Sequence, residues 1–214
     1  MDVVIAGGHG KVALRLERLL AADGHRARAL IRNQLHAADV VDAGGEPVLC
    51  DLEAVSDLTE AVQGADAVVF AAGAGPGSGP ERKRTVDYGG AVKLIDACRS
   101  AGVSRYVMVS SIGAHEPEKG QGPMGPYLRA KADADAALTT SGLAYTIVRP
   151  GSLTDEPGTG RVLLTEELGH RGPVPRDDVA AVLAAVVTGG HLVGRTVELL
   201  AGDTPIDEAL ATLG

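Results

Sequence analysis

The sequence predicts an α/β fold, a mostly parallel sheet wound on both faces by helices, with a small C-terminal extension. Three observations predict it. Short β-branched runs alternate with helical spacings along most of the chain, the first run leads straight into a glycine-rich turn, and a hydrophobic content of 45% against 22% charged residues suits a buried core.

The elements follow in order. Val3-Val4-Ile5-Ala6 forms the first strand, and Val12, Leu16, Leu19 and Leu20 then mark one face of a helix that stops near Gly24. Next come a strand over Ala27 to Ile31, a helical segment around Leu35 to Ala43, a strand at Pro47 to Cys50, a short helix through Leu58 and Val62, and a strand at Ala67 to Ala71. Residues 72–80 are too rich in Gly and Pro to be either element and read as a mobile loop. Helical spacing resumes through Ala91, Ile95 and Cys98, followed by a strand at Tyr106 to Val109 and a loop holding Pro117, Gly120, Gly122 and Pro123. A helix from about Tyr127 to Thr140 and a strand at Tyr145 to Val148 complete the regular part. Beyond Arg149-Pro150-Gly151 the pattern loosens to one clear helix (Val179 to Val187), one strand (Val197 to Leu200) and a final short helix after Pro205.

Without a repeat or a hydrophilic linker, residues 1–214 read as one domain around one main core, with 151–214 as a small substrate-side region. A formal net charge of −8 argues against a nucleic-acid partner, and Glu81-Arg82-Lys83-Arg84 reads as a solvated loop rather than a basic patch. Aromatic residues make up only 2%, too few for a base-stacking platform. Cys50 and Cys98 each sit in an apolar run, so both read as buried free thiols in a reducing compartment. No signal peptide and no apolar stretch approaching the roughly 20 residues of a membrane helix is seen, which points to the cytoplasm.

Gly7-Gly8-His9-Gly10-Lys11-Val12-Ala13 follows a strand and opens a helix. Backbone N–H groups and the helix dipole together make such a turn a pyrophosphate site, and glycine lets the phosphate approach the main chain. The glycine spacing alone is weak; the coincidence of strand, turn and amphipathic helix makes it a dinucleotide-binding Rossmann signature. The second strand ends at Arg32-Asn33, where NAD-specific folds carry an acidic residue for the ribose hydroxyls. A guanidinium instead suits a 2′-phosphate, so NADP(H) is favoured over NAD(H). Asp51 and Leu52 after the third strand, and Ala71, Ala72 and Gly73 after the fourth, lie at the same ligand-binding edge.

Ser110-Ser111 ends the fifth strand and Tyr127-Leu128-Arg129-Ala130-Lys131 begins the next helix. Residues four apart share a helix face, so Lys131 places an ammonium beside the Tyr127 phenol. Serine would hydrogen-bond a substrate oxygen while tyrosine gives or takes its proton as hydride moves. Such a pair arises by chance only about 0.1 times, which makes it more informative than the glycines. His9 and His115 lack the partner spacing of metal ligands, and no metal site is expected.

These motifs, together with Val86-Asp87-Tyr88-Gly89-Gly90 and Val148-Arg149-Pro150-Gly151, resemble the short-chain dehydrogenase/reductase superfamily in its atypical, extended-like branch, whose members are often labelled epimerase/dehydratases. The resemblance spans nearly the whole chain. It implies that Ser111 and Tyr127 bind the reacting oxygen, that Lys131 also holds the nicotinamide ribose, and that Ser110 and Pro150 adjoin the cofactor. Two positions depart from the pattern. Asp87 stands where the superfamily has a helical Asn, and Ala13 replaces the third glycine, a tolerated change.

The region from Gly151 onward is too short for the sugar-nucleotide pocket of extended relatives, so nucleotide-sugar epimerisation is not expected. Asp155 and Glu156 past that turn read as solvated residues that could alternatively line a small pocket. Three functions fit. The first is an NADP(H)-dependent oxidoreductase acting on a small carbonyl, quinone or similar acceptor. The second is an NmrA-like cofactor sensor without turnover, and the third a flavin or biliverdin reductase-like enzyme that needs no tyrosine acid. A homodimer is compatible with the sequence, although no exposed apolar face singles itself out.

Overall fold

The computed structural model describes residues 1–75 and 77–214. Six strands, β1 (Asp2–Ala6), β2 (Arg26–Ile31), β3 (Glu46–Leu49), β4 (Ala67–Phe70), β5 (Arg105–Val109) and β6 (Ala144–Pro150), pair in parallel in the order β3-β2-β1-β4-β5-β6. This is the doubly wound order of dinucleotide-binding sheets, with its reversal between β1 and β4. The later strands are β7 (Ser152–Thr154), β8 (Arg161–Thr165), β9 (Pro173–Pro175), β10 (Arg195–Ala201) and β11 (Thr204–Pro205). β10 continues the parallel sheet beside β6, while β8 and β11 close its edge antiparallel. β7 and β9 form a separate parallel pair.

The helices are α1 (Lys11–Ala22), α2 (Ala37–Asp42) after a 3-10 turn at Gln34–His36, α3 (Thr59–Val62), α4 (Pro80–Arg82), α5 (Ala91–Ala101), α6 (Met124–Thr139), α7 (Arg176–Gly189) and α8 (Ile206–Leu213). A π-wound stretch, Lys83–Gly90, joins α4 to α5. β1 shows why the parallel strands are apolar throughout: Val3 and Ile5 enter the core beneath α1, α7 and α8, whereas Val4 and Ala6 enter the core beneath α3, α5 and α6. Burying a Leu or Ile such as Leu16, Leu20 or Ile147 stabilises the fold by roughly 1.5–3 kcal/mol each. Among the described residues no helix is long and apolar enough to cross a membrane.

Three expectations change. The stretch Glu81 to Arg84 is helical, not a solvated loop, because Pro80 pre-sets the first helical turn and the charges find partners. Arg82 donates to Glu53 at 3.2 Å, Arg84 pairs with Asp133 and lies 3.9 Å over the Tyr88 ring, and Lys83 is buried. The loop read over 72–80 includes Pro76, which lies outside the described residues, and its last residue already belongs to α4. The C-terminal region, moreover, holds more strands than its loose pattern suggested, since β7, β8, β9 and β11 all fall there. Cys50 and Cys98 are both buried and unpaired.

Candidate active site

The site forms where β1 and β4 part. Gly7 has φ +81°, and a Cβ on it would lie 2.6 Å from Ala72 Cα, so only glycine brings the turn against the end of β4. The Gly10 N–H donates to Gly7 O at 2.8 Å, closing the turn, and Gly10 precedes α1 in extended conformation. The first-turn N–H groups of the 12-residue α1 have no intrahelical acceptor and point out of this turn. A Cβ on Gly10 would meet Gly7 O at 3.0 Å. The concavity therefore depends on missing side chains and fits a pyrophosphate.

Two cavities adjoin it and share Gly10, Lys11 and residues 71–75. The first, about 460 Å³, is lined by Gly7, His9, Arg32, Asp51, Leu52 and Ala71 to Gly73, and also by His36, Glu53, Arg82 and Val86. Arg32 is exposed and has no ion-pair partner among the described residues. His9 is held instead, with its Nε2 2.6 Å from Asp39 and its ring stacked 3.7 Å from that of His36. Gly8 and Asn33 line neither cavity. Gly8 packs α1 onto β2, where a Cβ would come 2.5 Å from the Ala29 Cβ, and the Asn33 side chain accepts the Leu35 N–H to cap the 3-10 turn. Asp51 also accepts a local N–H, that of Glu53, at 2.9 Å.

The second cavity, about 730 Å³, brings together Val12, Asp87, Ser110, Ser111, Tyr127, Lys131 and Pro150. Lys131 is 3% exposed; its ammonium donates to Val109 O at 3.1 Å, stands 3.3 Å from Asp87 Oδ1, and lies 5.9 Å from the Tyr127 ring centre. Asp87 comes from the π-wound stretch, a winding that often marks functional sites, and its Oδ2 accepts the Ala74 N–H at 3.1 Å. Asp87 thus ties the loop after β4 to the lysine. The Ser111 hydroxyl makes only a local 3.3 Å contact to Ile112 O, and no hydrogen bond links Ser111, Tyr127 and Lys131 among the described residues. Ser110 donates instead to the buried Asp135, which Arg149 also contacts at 2.9 Å. Burial pushes the Asp135 carboxyl up, against the pull of the Arg149 guanidinium.

Sequence reasoning missed Lys83, Met124, Leu153 and Arg176 in this cavity and His36 and Arg82 in the first. Only spatial proximity across elements identifies most of them. Asp155 lines neither cavity but is more than a solvated loop residue. It pairs with Lys11 at 2.6 Å and Arg176 at 2.9 Å, and those bonds, the one from Lys11 foremost, hold its carboxyl below the usual range. His115 faces the buried Glu198 at 3.4 Å, away from both cavities.

Fold order, glycine turn and cavities at the strand ends define a Rossmann-type dinucleotide-binding protein. Residues 7–189 match the model of a family described as NAD(P)H-binding, and the chain belongs to that family. It is 40% identical to the uncharacterized sugar epimerase YhfK of Bacillus subtilis, over the full length of both. A solved structure from Bacillus halodurans, provisionally described as an NAD-dependent epimerase/dehydratase, superposes with a TM-score of 0.95 at 40% identity, covering 100% of each chain. ChuY, an anaerobilin reductase of Escherichia coli O157:H7, is similar at 26% identity and TM-score 0.80, over 95% of this chain and 98% of that one. The fold is that of NAD(P)H-binding oxidoreductases.

Proposed function

We propose that this protein is an NADP(H)-dependent oxidoreductase of the atypical short-chain dehydrogenase/reductase type, reducing a small carbonyl, quinone or similar acceptor in the cytoplasm. One observation carries the reading: Ser111, Tyr127, Lys131 and Asp87 line a single cavity that is continuous with the glycine turn. The turn and the N-terminus of α1 would hold the pyrophosphate, and Arg32, which lines the first cavity exposed and without an ion-pair partner among the described residues, would hold the 2′-phosphate. NADPH, when bound, supplies the hydride. Tyr127 then delivers a proton to the acceptor oxygen, Ser111 orients that oxygen by a hydrogen bond, and Lys131 provides fixed positive charge behind them. Asp87 neutralises Lys131 in the buried site and limits how far its charge reaches the phenol.

That ion pair also favours a second reading, in which the cavity sets an acceptor against the nicotinamide without a tyrosine acid. The similarity to an anaerobilin reductase supports a reductase of either kind. A Tyr127→Phe variant separates the two in steady-state assays with NADPH. Under the first reading kcat falls by about 100-fold or more with KM for NADPH unchanged. Retention of the full rate removes Tyr127 as proton donor and leaves the second reading.

A further inference from the structure

Lys83 is 9% exposed and lines the second cavity. The other cations there have carboxylate partners: Lys11 and Arg176 share Asp155, and Lys131 faces Asp87. Lys83 has none within ion-pair distance among the described residues. Among the described residues its ammonium donates only to Ser78, at 3.1 Å to the carbonyl oxygen and 3.4 Å to the hydroxyl. Burying an ammonium without a counter-charge is costly, and an anionic ligand in the cavity would supply the missing charge. The composition of the lining is also asymmetric: in a chain of net charge −8, four cations face one carboxylate, Asp87, within an otherwise largely apolar wall that includes Met124 and Leu153.

We propose that Lys83 anchors an anionic oxygen group on the acceptor, so that the substrate is an organic acid whose carboxylate is held at Lys83 while its apolar body lies along Met124 and Leu153. This inference rests on the cofactor-binding reading above and names the substrate class of the same site. The alternative source of the same charge is a phosphate of the cofactor. Lys83 shares its cavity with Ser111 and Tyr127, the groups proposed to meet the acceptor oxygen, which favours the acceptor.

The test is a binding measurement. Wild type, Lys83→Met and Lys83→Arg proteins, each saturated with NADP⁺ so that no turnover occurs, are titrated calorimetrically with 4-carboxybenzaldehyde and with its methyl ester. The expected result is at least tenfold tighter binding of the acid by wild type, kept in Lys83→Arg and lost in Lys83→Met, with NADP⁺ affinity the same in all three. Equal binding of acid and ester by wild type, or a preference that survives Lys83→Met, overturns the proposal. So does a tenfold loss of NADP⁺ affinity in Lys83→Met, which assigns the lysine to the cofactor. Thermal melting of the cofactor-free proteins gives an independent arm: Lys83→Met melts at or above wild type if the lysine awaits a ligand, and well below it if the bonds to Ser78 are its purpose. Failure of wild type to bind NADP⁺ would strike the cofactor reading alone, because the acid and ester comparison can be repeated on the cofactor-free protein.

Discussion

Lys131 lies between two demands, the Asp87 carboxylate at 3.3 Å and the Tyr127 ring 5.9 Å away. Both members of the ion pair are almost fully buried, so each is the other's main compensation for lost hydration. Asp87→Asn, which restores the residue type the wider superfamily uses, leaves the lysine charge uncompensated and should lower stability by about 3 kcal/mol in denaturant unfolding. An unchanged midpoint would mean that the Lys131 charge finds another partner. The spacing of Tyr127 and Lys131, and the cation at Arg32, were legible because each rests on a local pattern whose chemistry is fixed by residue type. Lys83 was not. A run of four charged residues reads as a solvated face, and only packing of the π-wound stretch beneath the loop after β4 shows that one of them is buried.

The β1–turn–α1 unit fixes where phosphate can approach, and its glycines have different duties. Gly8→Ala would drive a methyl to 2.5 Å from the Ala29 Cβ on β2, and overpacking of this kind costs roughly 1–3 kcal/mol. Gly7→Ala adds a positive-φ penalty to a 2.6 Å clash with the Ala72 backbone and should be the more destabilising of the two in chemical denaturation. Equal stability of either variant and wild type would contradict this geometry. The parallel strands were readable from sequence because burial on both faces makes them continuous apolar runs. β8 hides its period: Val162 and Leu164 point inward, but Leu163 beside them is 39% exposed, so the residues do not alternate although their burial does. β7, β9 and β11 span two or three residues each, and such strands are set by the partner they meet rather than by their own composition.

Across the molecule the two cores on either face of the sheet leave few charges inside, and Glu17 is the least compensated of them. It is fully buried on α1 beside Gly45 and Val40, neither of its oxygens has a hydrogen-bond donor among the described residues, and burial pushes its carboxyl up to about 8. A raised native value means that the folded state holds the proton more tightly than the unfolded chain. The associated stability is complete below the unfolded value of 4.5 and is lost as pH rises through about 8. The loss across that window is at most on the order of 5 kcal/mol. Thermal melting at pH 5, 7 and 9 should therefore show wild type losing stability toward alkaline pH more steeply than Glu17→Gln, and parallel profiles would refute the assignment. The proposed function depends on the opposite feature, an open edge at the β1–β4 divide where the main chain is bare and Arg32 has no ion-pair partner among the described residues. The direct test is calorimetric titration of the protein with NADPH and, separately, NADH. NADPH binding at least tenfold tighter than NADH is the predicted result; equal or tighter binding of NADH would contradict the role of Arg32, and binding of neither would contradict the cofactor site itself.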